Sequence, residues 1–156
     1  MKEHINTQKR QFCTFLIGEH LFGVDILDVK EINTEIDFTP IFHAPKEVKG
    51  YVNIRGHIHL ILDLRLLLGF ESKKTDEASR LILFKPDVGE SFGVLVDRIG
   101  DVLEVDETQI EYYHRNQNDP ERAEVSMSCL KHGVCKLKNV LLIILNSENL
   151  LKGVAK

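Results

Sequence analysis

Three groups of residues in this 156-residue chain have the types and spacing to do chemistry. Cys129, His132 and Cys135 stand at C-x2-H-x2-C, but a tetrahedral zinc site needs a fourth donor and none lies nearby. On an extended strand the thiol of Cys135 turns into the core, where cysteine packs as a small hydrophobe. His57 and His59 face one side of a strand with Asp63 further along, a set that would serve as a metal triad. A polar outer surface accounts for those three equally well. Glu104 and Asp106 fall in the segment EVDETQIE, where a carboxylate is ordinarily solvated or caps a helix rather than forming an acid and base pair. Nucleophilic catalysis requires a Cys or Ser with an activating base and oxyanion donors. The sequence has no G-x-S-x-G, P-loop or dinucleotide glycine pattern. The expectation is a noncatalytic protein without metal or cofactor.

The elements that would position these groups are strands. Apolar residues alternate with period two in short runs bounded by Gly, Asp and Asn. The candidates are Gln11–Ile17, Leu21–Ile26, Tyr51–Arg55, Ile58–Asp63, Arg80–Lys85, Ser91–Val96, Val102–Val105, Val134–Lys138 and Val140–Leu145. Helical signals are short: Pro45 opening KEVK, Leu64–Leu68 stopped by Gly69, and Ser147–Leu151 capped by Asn146.

The segment NIRGHIH, Asn53 to His59, interrupts this apolar pattern. If Val52 and Ile54 face the core, Asn53 and Arg55 face away, and Gly56 supplies a turn conformation that a Cβ resists. On the return strand Ile58, Leu60 and Leu62 share the core face, leaving His57, His59, Ile61 and Asp63 on the other. Arg55 then stands near the tip of a stiff hairpin. Glu31 in VKEI is a candidate partner; the alternative is a solvated arginine beside a routine turn.

The chain also repeats itself. FGVDI from Phe22 recurs as FGVLV from Phe92, a shift of 70, and GYVNIRGHIHLILDLRLLL from Gly50 overlays GVCKLKNVLLIILNSENLL from Gly133, a shift of 83. The polar stretch Tyr113–Glu124 would absorb the difference, and Glu71–Ala78 reads as the crossing linker. Two similar β units would pack together because neither buries enough apolar surface alone.

Composition narrows the function classes. Twenty basic and twenty-four acidic residues are interspersed, giving a net charge of −4 without the basic stripe of a nucleic-acid binder. Eight Phe and three Tyr lie mostly at alternating core positions, which also disfavours a nucleic-acid or small-ligand barrel. No apolar run reaches the ~18 residues of a membrane span, and MKEHINTQKR has no hydrophobic region behind it, so a cytoplasmic location is expected.

Four blocks, FLIGEHLFGVDILDVKEI, PKEVKGYVNIRGHIHLILDLRLLLG, FGVLVDRIGDVLEVDETQIE and HGVCKLKNVLLIILNSENLL, resemble the CheW-like family of bacterial chemotaxis adaptors over Phe12 to Lys152. The resemblance implies a mainly β fold of two five-stranded SH3-like barrels around a common core, with a few short helices. It would form a single domain over residues 1–156, with subdomains at roughly 20–75 and 80–145 whose terminal segments exchange. It further implies a noncatalytic role, coupling the tips of methyl-accepting chemoreceptors to the regulatory domain of the histidine kinase CheA. An SH3-like scaffold in another two-component pathway is the alternative. By resemblance, Val29, Glu31, Gly50, Asn53, Arg55 and Gly56 belong to or lie near the receptor-binding surface, whereas the kinase contact, through apolar barrel ends, is assigned to no residue. No nucleic acid is implied, and membrane association is indirect, through receptors. The chain departs from the family pattern at His59, where proline is usual, at Cys135, usually alanine, and at the turn Asn139-Val140.

Overall fold

The computed structural model describes residues 8–113 and 130–154. Eleven strands run through them: β1 Lys9–Ile17, β2 His20–Asp25, β3 Val29–Asn33, β4 Val48–Ile54, β5 His57–Asp63, β6 Arg80–Phe84, β7 Phe92–Val96, β8 Arg98–Asp106, β9 Ile110–Tyr112, β10 Lys131–Lys136 and β11 Leu141–Leu145. One four-residue helix, α1 (Leu64–Leu67), follows β5. The strands form a six-stranded sheet, β8-β1-β2-β11-β10-β9, and a five-stranded sheet, β3-β6-β7-β5-β4. The first therefore has one strand more than the expected five, because Ile110–Tyr112 adds to β10.

Successive residues of one strand feed different cores, since side chains alternate across the pleat. On β6, Leu81 and Leu83 join Val52, Ile54, Ile61 and Leu95 inside the five-stranded sheet. Ile82 and Phe84 on the same strand instead meet Cys13, Phe15, Phe22 and Val24 of the six-stranded sheet in a large shared core. The six-stranded sheet encloses its own interior of Phe12, Val105, Ile110, Cys135, Leu142 and Ile144, drawn from both of its edge strands. Cys135 is thus buried among apolar side chains, as its strand phase predicts. Cys129 and the stretch 114–124 lie outside the described residues.

Sheet membership follows long-range pairing rather than chain order. β2 runs parallel to β11, with Ile143 opposite Phe22, and β7 runs parallel to β5, with Leu60 opposite Phe92. These pairs are related by the shifts of 83 and 70 read from the repeats. The five-stranded sheet spans residues 29–96, including the strands after the polar segment 71–78, while the six-stranded sheet combines 9–25 with strands from 98 onward. The stacked rings Phe84–Phe92 at 5.0 Å and Phe15–Phe22 at 6.1 Å occupy matching places in the two units.

Two short elements depart from or match expectation for simple reasons. The Pro45 segment makes one turn, Val48 N–H to Pro45 C=O at 3.0 Å, and then enters β4, since the following residues pair with β5. α1 forms as expected: Asp63 accepts from the Arg65 N–H at 3.0 Å, and Gly69 ends it with φ +86°.

Candidate functional site

The hairpin β4–β5 turns through Arg55 and Gly56, both left-handed at φ 51° and 86°. Two consecutive positive φ values make a type I′ turn, whose twist matches that of the strands it joins. Gly56 adopts this readily, whereas Arg55 is held in a conformation that residues with a Cβ seldom take. Asn53 holds the turn by accepting the Gly56 N–H at 2.9 Å.

Arg55 reaches across to β3. Its guanidinium donates to one oxygen of Glu31, and Asn33 Nδ2 donates to the other at 3.0 Å. These donors hold the Glu31 carboxyl below its ordinary range, Arg55 first and Asn33 second. β3 and β4 are the two edges of the five-stranded sheet, so the pair bridges that sheet's open sides. The Arg55 side chain remains 68% exposed and that of Glu31 23%. Among the described residues, the other N–H groups of Arg55 have no protein partner, so most of its five-donor fork faces outward.

The six residues named from sequence take different places. Glu31, Asn53, Arg55 and Gly56 come together at the tip. Val29 lies two residues before Glu31 on β3, half-buried against the shared core. Gly50 is buried; a Cβ there would stand 2.4 Å from the Thr39 carbonyl oxygen, so its place is one of close backbone approach.

The return strand corrects the expected faces. His59 is 5% exposed and Asp63 is buried, while Ile58 is 52% exposed. Ile61 points into the five-stranded sheet's own interior, His59 and Asp63 are buried on the same side of the strand by alternation, and Leu60 and Leu62 meet the shared core, so both faces are covered. Ile58 lies near the tip, beyond the opposite sheet's cover. The buried polar groups find local partners: His59 Nδ1 lies 3.2 Å from the His57 carbonyl, and Asp63 caps α1. Burial pushes the Asp63 carboxyl up. Among the described residues, no three His, Cys, Asp or Glu side chains gather as a metal site would require. Asp106 begins the turn 107–109, its backbone N–H donating to Gln109 Oε1 at 3.2 Å.

Periodicity gave no sign of Asn33, which follows an apolar residue in a short, mostly polar strand. The one available signal was its i+2 spacing from Glu31, which puts the two on one side of β3.

Two sheets sharing a core, with a preset charged hairpin tip on the outside, make up a mainly β domain of two units. A model of the CheW-like domain matches residues 11–155. The chemotaxis protein CheW of Helicobacter pylori is 26% identical over 151 residues, 97% of this chain and 87% of that protein. The chemotaxis protein CheW of Klebsiella aerogenes is 32% identical over 148 residues, 94% and 84% of the two chains. The crystal structure of the scaffolding protein TtCheW from Thermoanaerobacter tengcongensis superposes with a TM-score of 0.75 at 26% identity, covering 89% of this chain and 90% of that one. The chain belongs to the CheW-like domain family. Among the described residues no helix is long and apolar enough to cross a membrane.

Proposed function

We infer that this chain is a chemotaxis adaptor coupling chemoreceptor tips to the histidine kinase CheA, without catalysing a reaction. The observation that carries this reading is the Arg55–Glu31 pair: a mostly exposed arginine, preset by backbone and carboxylate, in a chain that is CheW-like along almost its whole length. Arg55 meets the receptor with its free N–H donors. Glu31, Asn53 and Gly56 hold it in place, Val29 extends the surface along β3, and Gly50 keeps β4 against the segment at Thr39.

The two sheets act as one domain through their shared core. The kinase contact falls on exposed aliphatic side chains away from the Arg55 tip, Val102 on β8 and Val140 and Leu141 at the β10–β11 turn. Such apolar patches with charged rims give moderate affinities, and many of them together would hold an extended array. The adaptor works in the cytoplasm and meets the membrane only through its receptors.

Co-sedimentation with receptor fragments and kinase tests this reading. Arg55→Glu is expected to abolish coupling while circular dichroism stays that of the parent. A variant that binds and activates like the parent removes the hairpin tip from the contact.

A further inference from the structure

We propose that Asn33 is a positioning residue, fixing the Glu31 carboxylate that aims Arg55 and so presetting the tip for its partner. The proposal rests on the reading of Arg55 as a receptor contact.

The geometry determines which way the Asn33 amide points. Its Oδ1 accepts the Glu35 N–H at 2.8 Å, the side-chain-to-backbone turn that asparagine makes two residues on. With the oxygen so used, the NH2 group is left to face Glu31, and it donates to Oε2 at 3.0 Å. Glu31 Oε1 accepts from Arg55. Both carboxylate oxygens are therefore held by groups on different segments, and the carboxylate has lost its freedom to rotate.

That matters because an ion pair this exposed holds its partners weakly by itself. Two flexible side chains give up rotamer freedom to meet. Asn33 has already ordered Glu31, so Arg55 closes onto a fixed acceptor. At the other end, Asn53 and Gly56 fix the backbone from which Arg55 springs. The two asparagines brace the guanidinium from opposite edges of one sheet, and its remaining donors project outward.

Full-length Asn33→Ala and Asn33→Ser test the proposal. Serine still accepts the Glu35 N–H but offers no NH2 to Glu31, which separates the carboxylate role from loop holding. The readouts are the Glu31 carboxyl midpoint, followed by side-chain carbon NMR, and affinity for receptor fragments. In both variants the Glu31 midpoint is expected to rise, and receptor affinity to fall about three- to tenfold, the net worth of one ordinary hydrogen bond. When Glu31→Ala is already present, Asn33→Ser is expected to weaken binding no further. An unchanged Glu31 midpoint in Asn33→Ser overturns the proposal, as does an affinity loss that persists undiminished in the Glu31→Ala background. Parent-like binding by Arg55→Glu would instead refute the receptor reading, and the NMR midpoints would still decide whether Asn33 holds Glu31.

Discussion

The hairpins β4–β5 and β10–β11 are one design used twice, with different tips. Val48 faces Leu62 as Lys131 faces Leu145, and Gly50 faces Ile61 as Gly133 faces Ile144, each pair 83 residues from its counterpart. Each ladder slips just before its glycine, and each glycine admits a passing backbone: a Cβ would meet Thr39 O at 2.4 Å or Glu111 O at 2.8 Å. At the tips the likeness ends. Arg55 and Gly56 turn left-handed and Arg55 binds Glu31, whereas Lys138 and Asn139 keep ordinary φ values and Lys138 has no ion-pair partner among the described residues. Exposed Val140 and Leu141 flank that second tip. A duplicated framework has thus been given a charged, preset turn at one end and not at the other by a few residues at the turns and the facing edge. Exposed apolar side chains flank both, Ile58 at the first tip and Val140 and Leu141 at the second.

The sharpest way to break this comparison is at the shared glycines. Gly50→Ala is expected to cost about 2 to 4 kcal/mol, because its Cβ meets backbone and its φ of +143° disfavours a side chain. Thermal unfolding should show a fall of roughly 5 to 15 °C. Gly133→Ala should cost less, about 1 to 3 kcal/mol, by the same overpacking. A Gly133 variant more damaging than the Gly50 variant would mean that the two glycines serve different ends.

At the tips the expected differences concern coupling rather than folding. Lys138→Glu, the counterpart of Arg55→Glu, should leave receptor co-sedimentation near that of the parent; equal loss in both would erase the functional division. Glu31→Arg alone should impair coupling, and combining it with Arg55→Glu should restore part of it. No recovery would mean that the two side chains act separately on the partner.

Acid should act on the first tip through Glu31. The folded-state carboxyl of Glu31 lies below its ordinary range, so its contribution is present above that range and is lost as pH falls through the depressed value. Receptor affinity should therefore weaken on acidification past the ordinary glutamate range, and Glu31→Gln should remove that dependence.

The smallest effect belongs to Asp63. Asp63→Asn keeps the acceptor for Arg65 N–H and removes a buried charge, so stability at neutral pH should hold or rise slightly. Asp63→Ala loses the cap and should cost about 1 kcal/mol in thermal unfolding.

Much of this was legible in the sequence, for identifiable reasons. The 83-residue repeat appears because both hairpins need the same glycine and the same alternation to feed two cores. Glu31 and Arg55 were readable as candidates from charge and family pattern. Sheet membership was not, because the parallel pairing of β2 with β11 joins residues more than a hundred positions apart and leaves no mark on local periodicity. β3 escaped because VKEIN has no apolar alternation, its backbone being claimed by β6 instead. Alternation puts His59 on a polar outer face because it separates two faces without saying that both are covered.

Reconstitution tests coupling most directly: purified chain is added to receptor-bearing membranes with CheA, and kinase phosphorylation is measured. The account predicts receptor-dependent stimulation by the parent chain and none by folded Arg55→Glu. Stimulation by both alike, or by neither, would contradict it.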